Sequence, residues 1–211
     1  MENYKKNLEL LTKNHVYSKE MEHDACGVGL IASTEGKKSR AIVEYGIEAL
    51  KAVWHRGAVD ADGKTGDGAG IHVEIPKDFF IEKIEVTGHT HDNSEICVGM
   101  IFLPRNDYAA QESCKTIVES ELTKNDFSIY GWRQVPVNPK VLGEKAFQTM
   151  PEIIQVLFKS NNRELLNKDL ERKIYETRRI IENKAFQISL NNFYICSLSS
   201  KSIIYKGMFL A

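Results

Sequence analysis

The 211-residue chain has no closely spaced cysteine pair, only 5 prolines, no long apolar run and no excess of either charge. Each shortage removes a class of protein. Cys26, Cys97, Cys114 and Cys196 stand far apart with no CxxC among them, so neither a disulfide framework nor a zinc site is indicated. Reduced thiols make the cytoplasm the default compartment. The apolar runs at 101–103 and 153–158 fall far short of the roughly 20 residues that cross a bilayer. Lys and Glu interrupt the apolar residues of the first 25 positions, which leaves no signal-peptide core and no membrane partner. Lys plus Arg is 28 and Asp plus Glu is 29, a formal charge of −1, without the basic excess of a nucleic-acid binder. At 42% hydrophobic and 27% charged, the composition is not that of a disordered or collagen-like chain. What remains is a near-neutral globular protein, long enough to bury one core.

Periodicity divides the chain. Residues 1–24 are polar and lysine-rich and read as an extension. CGVGLIA (26–32) suits a buried strand. The spacing of Ile42, Val43, Gly46, Ile47, Leu50, Val53 and Trp54 predicts a helix over 39–54, with Ser39 as its N-cap. The glycine-rich stretch 56–70 is a loop, and IHVEI (71–75) is a strand ended by Pro76. Strands are expected at 96–103, 127–137 and 152–160, and helices at 107–124, 141–149 and 168–185. In the last helix Glu182 is placed to pair with Arg178 and Arg179. FYICSLS (193–199) and SIIYKG (202–207) read as a hairpin. The class is α+β, with layers of sheet and helix.

Several patterns suggest binding sites and fail on inspection. GDGAG (66–70) precedes a strand rather than a helix and carries Asp67 where a phosphate would sit. A calcium loop starting at Asp60 would have Thr65 at its sixth position and Ile71 at its twelfth, where Gly and Glu belong. His89 and His91 have no third metal ligand at useful spacing. Lys173, Arg178 and Arg179 alternate with Glu171, Glu176 and Glu182, the pattern of a solvated helix face.

The chemistry rests on DACGVG (24–29). Gly27 has no side chain, so a substrate could approach the Cys26 sulfur closely. On its own, a cysteine in an apolar strand more often fills space than reacts. The wider pattern speaks for the second role. DACGVGLIA followed by HRGAVDADGKTGDGAGI (55–71) resembles the class II glutamine amidotransferase domain that opens the large chain of glutamate synthases. VGMIFLP (98–104), GWRQVPVN (131–138), LGEKAF (142–147) and FYICSLSSKSIIYKGM (193–208) continue the likeness in order, from Glu22 to Met208.

The resemblance implies an N-terminal nucleophile hydrolase, an αββα sandwich, of which this chain would carry the N-terminal half. It implies that residues 1–25 are a propeptide removed by self-cleavage between Ala25 and Cys26. The freed α-amine, with an ordinary pKa of about 7.7–8.0, would act as base for the adjacent thiol. Arg56 would support the nucleophile, either by stabilising its thiolate or by pinning the glycine-rich loop. His55 would be structural.

The substrate implied is glutamine, hydrolysed to glutamate and ammonia for transfer to 2-oxoglutarate. Partners implied are the C-terminal domains of the same protein and a small electron-transfer subunit or ferredoxin. No cofactor is expected in this chain; FMN and an iron–sulfur cluster would lie in the other domains. The family's NGE-like and RFSTNT-like segments do not occur in this sequence, so the chain alone is expected to be inactive and to leave apolar faces of 96–208 uncovered. Two alternatives stay open at this point: a hydrolase acting on another amide, and a non-catalytic interaction module in which Cys26 only packs.

Overall fold

A computed structural model describes residues 2–14, 27–208 and 210. Helix α1 (Glu2–Asn14) forms in the lysine-rich extension, and its Leu10 stays half exposed. Charged and leucine side chains of high helix propensity account for it. Helix α2 (Arg40–Ala52) begins as the sequence indicates: the Ser39 hydroxyl accepts from the Ile42 N–H at 3.4 Å. A short 3₁₀ turn, Trp54–Arg56, follows.

The core is a four-stranded antiparallel sheet in the order β3-β4-β2-β5. Its strands are β2 (Cys97–Leu103), β3 (Phe127–Gln134), β4 (Glu152–Ser160) and β5 (Tyr194–Ser199). Apolar residues alternate between its two faces. Ile101, Leu103, Val156 and Phe158 meet Val118 and Leu122 of α4 (Tyr108–Lys124) and Ile174 and Ile181 of α6 (Asn167–Gln187). These residues are almost wholly buried. Glu121 ties the two helices together, accepting from Lys184 Nζ at 2.6 Å and Lys124 Nζ at 3.1 Å. Lys184 first, then Lys124, holds its carboxyl below the usual value.

The other face carries Val98, Met100, Tyr130 and Leu157. It is covered by Ile203 of a second sheet, in which β1 (Ala69–Glu74) and β6 (Ser202–Gly207) pair antiparallel, and by Phe80 and Ile84 of α3 (Lys77–Val86). Helix α2 lies against β1, with Gly46 facing the Ile71 side chain. The layers therefore run helix, sheet, sheet, helix, which is the α+β sandwich expected.

Four expectations need correction. Residues 27–33 form no strand, and Val28 and Leu30 are about nine-tenths exposed. β1 bonds only to β6; without a ladder partner an apolar run gains nothing from extension. β5 and β6 are not a hairpin, because each belongs to a different sheet. Glu171 accepts from Ser199 Oγ, Ser200 N and Ser200 Oγ at 2.7–2.9 Å and holds the chain where it crosses between sheets.

Pro76 ends β1 but also starts α3, whose Phe80 and Ile84 bury one helical turn apart. Lastly, the large sheet within 96–208 is covered on both faces. Exposed apolar side chains do occur within 96–208, at Tyr108, Val141, Tyr175, Phe186 and Ile188 among others, as well as earlier, at Val28, Leu30, Tyr45, Trp54 and Val59. The smaller sheet has only α2 over it, and α2 has no fully buried residue.

Candidate active site

Ala25 and Cys26 lie outside the described residues, so the site is built from what adjoins them. Gly27 packs against the 3₁₀ turn: a Cβ at Gly27 would sit 3.4 Å from Arg56 Cβ and Cγ and 3.5 Å from Val53 Cβ. The residue following Cys26 thus faces the stem of Arg56. Arg56 is exposed, and its backbone N–H donates to Val53 O at 2.9 Å. His55 is exposed in the same turn.

After Arg56 the glycine-rich segment folds into a tight hairpin. Asp67 N donates to Ala58 O at 3.2 Å, Asp60 N donates to Thr65 O at 2.9 Å, and Val59 bridges Gly66. Gly57 faces Asp67, whose Oδ1 lies 3.2 Å from where a Cβ would stand. At the tip, Asp62 Oδ1 accepts from Thr65 N at 2.7 Å and Lys64 N at 2.9 Å, while Oδ2 accepts from Thr65 Oγ1 at 2.6 Å.

The tip docks on the start of α5 (Glu144–Thr149). Thr65 Oγ1 accepts from Ala146 N at 3.3 Å, and Lys145 Nζ pairs with Asp60 at 2.6 Å. A Cβ on Gly143 would fall 2.3 Å from both Asp62 Oδ2 and Thr65 Oγ1, so only glycine fits this approach. The Thr65 hydroxyl and backbone hold the Asp62 carboxyl well below its ordinary range. Lys145 lowers Asp60, and Asp60 raises Lys145 in return.

Asp60 and Asp62 direct their oxygens to Lys145, Thr65 and backbone N–H groups. His89 and His91 bond within their own loop, to Thr87 Oγ1 and to Ser94 O, both at 3.0 Å. Among the described residues no group of three or more His, Cys, Asp or Glu is placed to hold a metal. Cys97, Cys114 and Cys196 are buried. Burial raises all three thiols, Cys114 to about 11, which makes them poor nucleophiles at neutral pH. Of the four cysteines, Cys26 alone is left as a candidate.

The family model for class II glutamine amidotransferases matches residues 26–211, beginning at that cysteine. The chain belongs to this family. Its amidotransferase fold is shared with long relatives. The glutamate synthase [NADPH] large chain of Azospirillum brasilense is 54% identical over 208 residues, covering 99% of this chain and 14% of the relative. Ferredoxin-dependent glutamate synthase 1 of Arabidopsis thaliana is 40% identical over 189 residues, covering 89% of this chain and 12% of the relative. Ferredoxin-dependent glutamate synthase 2 of Synechocystis is 37% identical over 188 residues, again 89% and 12%. This amidotransferase chain therefore spans less than one-sixth of the length of these relatives.

The motifs point to Cys26 and Arg56 as candidates. They do not reveal the docking of the hairpin tip on Gly143 and Ala146, because Thr65 and Ala146 are 81 residues apart. One signal was available: DGKTGDGAG and LGEKAF both carry the family likeness, and the structure joins them.

Proposed function

We propose that the chain is the glutaminase part of a glutamate synthase, with Cys26 as nucleophile and Arg56 as its support. The observation that carries this reading is the family match that starts at Cys26, with the position of Gly27 facing the stem of Arg56. Removal of residues 1–25 frees the Cys26 α-amine, which titrates near neutral pH and takes the thiol proton. The sulfur attacks the side-chain carbonyl carbon of glutamine. The tetrahedral adduct collapses to a thioester as the amide nitrogen leaves, protonated, as ammonia. Water then attacks the thioester, releasing glutamate and restoring the thiol. The Arg56 guanidinium favours the thiolate electrostatically.

In the full-length protein the ammonia passes to 2-oxoglutarate in domains that carry FMN and an iron–sulfur cluster. The electrons come from a small partner subunit or ferredoxin; the names of the relatives include both NADPH and ferredoxin. A hydrolase for another amide and a non-catalytic module are not favoured, since the relatives are glutamate synthases. No helix among the described residues is long and apolar enough to cross a membrane.

Glutamate release from glutamine by the full-length protein tests the reading, together with intact mass. The mature protein is expected to lack residues 1–25, and Cys26→Ala to abolish hydrolysis. A processed, folded protein that leaves glutamine intact would overturn the assignment.

A further inference from the structure

From Arg56 to Gly68 nearly every side chain is exposed or half-exposed, yet Thr65 and Gly66 are buried. Burial is thus confined to the point where the hairpin meets Gly143 and Ala146. The Thr65 hydroxyl is fully employed there, donating to Asp62 at 2.6 Å and accepting from Ala146 N at 3.3 Å. The contact is intolerant as well as polar, because any side chain at residue 143 would overlap Asp62 and Thr65. The latched hairpin leads straight back to the site: its first pair, Ala58 with Asp67, lies two residues from Arg56. The 3₁₀ turn fixes the other side of Arg56 through the Arg56 N to Val53 O bond.

We propose that Asp62 and Thr65 are positioning residues for Arg56: their latch onto Gly143–Ala146 fixes the hairpin 57–67, and with it the backbone from which the Arg56 side chain extends. A core contact would not require this chemistry, since apolar packing would hold a loop equally well. A hydroxyl bonded on both sides and a glycine with no room for Cβ fix direction and distance, which is what a catalytic support needs. The nearest turn would otherwise be free to shift, and displacement of a support by about 1 Å can cost up to about a hundredfold in rate.

The proposal rests on the glutaminase reading, and the experiment separates the two. In the full-length protein, Thr65→Val keeps the shape of the side chain and removes both hydrogen bonds. The expected result is a fall of about tenfold in kcat for glutamine hydrolysis, with KM within about twofold. Thr65→Ser should restore kcat, and Asp62→Asn should resemble Thr65→Val.

The pH midpoint for alkylation of Cys26 by iodoacetamide should move upward in Thr65→Val, in the direction of Arg56→Ala. Unchanged kcat and alkylation profile in Thr65→Val would overturn the proposal. So would a Thr65→Ser variant as impaired as Thr65→Val, because space-filling and not the hydroxyl would then matter. If the wild-type protein hydrolyses no glutamine, the glutaminase reading fails. The latch is then judged by the alkylation midpoint alone: an upward shift supports it and no shift overturns it.

Discussion

At the residue scale, the most heavily partnered carboxylate is Asp92, in the loop between α3 and β2. Its Oδ2 pairs with Lys159 at 2.6 Å and Arg163 at 2.9 Å, and its Oδ1 accepts from Ser94 Oγ at 2.6 Å. Lys159 is the main reason that the Asp92 carboxyl lies far below the usual range, followed by Ser94. A depressed carboxylate stabilises the fold fully above the unfolded-state pKa, about 3.9 for Asp, and loses that contribution as the pH falls toward the folded value. Its side chain is 32% exposed, so solvent weakens each pair. Asp92→Asn should therefore cost about 1 kcal/mol at pH 7. Urea unfolding of both proteins should show that gap at neutral pH and show it closing below about pH 4. A gap that persists undiminished at about pH 3 would mean that the charge of Asp92 does not hold the loop.

At the scale of elements, legibility followed the number of turns or ladder steps available to read. Helices α4 and α6 span 17 and 21 residues, long enough for the 3.6-residue period to declare itself. β2 and β4 were plain because central strands buried on both faces are continuously apolar. Helix α3 escaped notice because its buried pair, Phe80 and Ile84, gives a single turn of periodicity after a proline that already explained the end of β1. The separation of β5 from β6 was not legible, since it depends on Glu171, far away on α6. At the candidate site, the motifs point to Cys26 and Arg56, the residues proposed to do chemistry. They do not reveal the docking of Asp62 and Thr65, whose partners Gly143 and Ala146 lie at another element.

The pairing of β1 with β6 offers a test at this same scale. A Cβ on Gly70 would lie 2.8 Å from Lys206 Cβ and 2.9 Å from the backbone oxygen of Tyr205. Neither atom can rotate away, so Gly70→Ala must part the strands. Overpacking of this kind costs about 1–3 kcal/mol. Thermal unfolding should show a lowered midpoint, and an unchanged midpoint would mean that the two strands are not paired in this register.

For the whole molecule, the two sheets differ in how firmly they are held. β2 is bonded on both sides, to β4 and to β5, and β4 is bonded to β2 and β3. Both are covered by helices on one face and by β6 and α3 on the other. Among the described residues β1 and β6 each have one strand partner, and the helix that meets their sheet on its outer face is α2. Across 27–38 the backbone bond found is the turn from Gly36 N to Ser33 O. Local opening follows buried contacts and paired amides, so the chain should exchange its amide hydrogens in three tiers. Residues 27–38 should exchange at once, β1 and β6 next, and β2 and β4 last, the latter at least about tenfold more slowly than β1 and β6. Hydrogen exchange of the 211-residue chain read by mass spectrometry resolves these tiers. Protection of 27–33 equal to that of β2 would mean that this apolar segment has found a strand partner. Val28 and Leu30 would then be covered, and the sandwich would contain one more strand in the segment that follows Cys26.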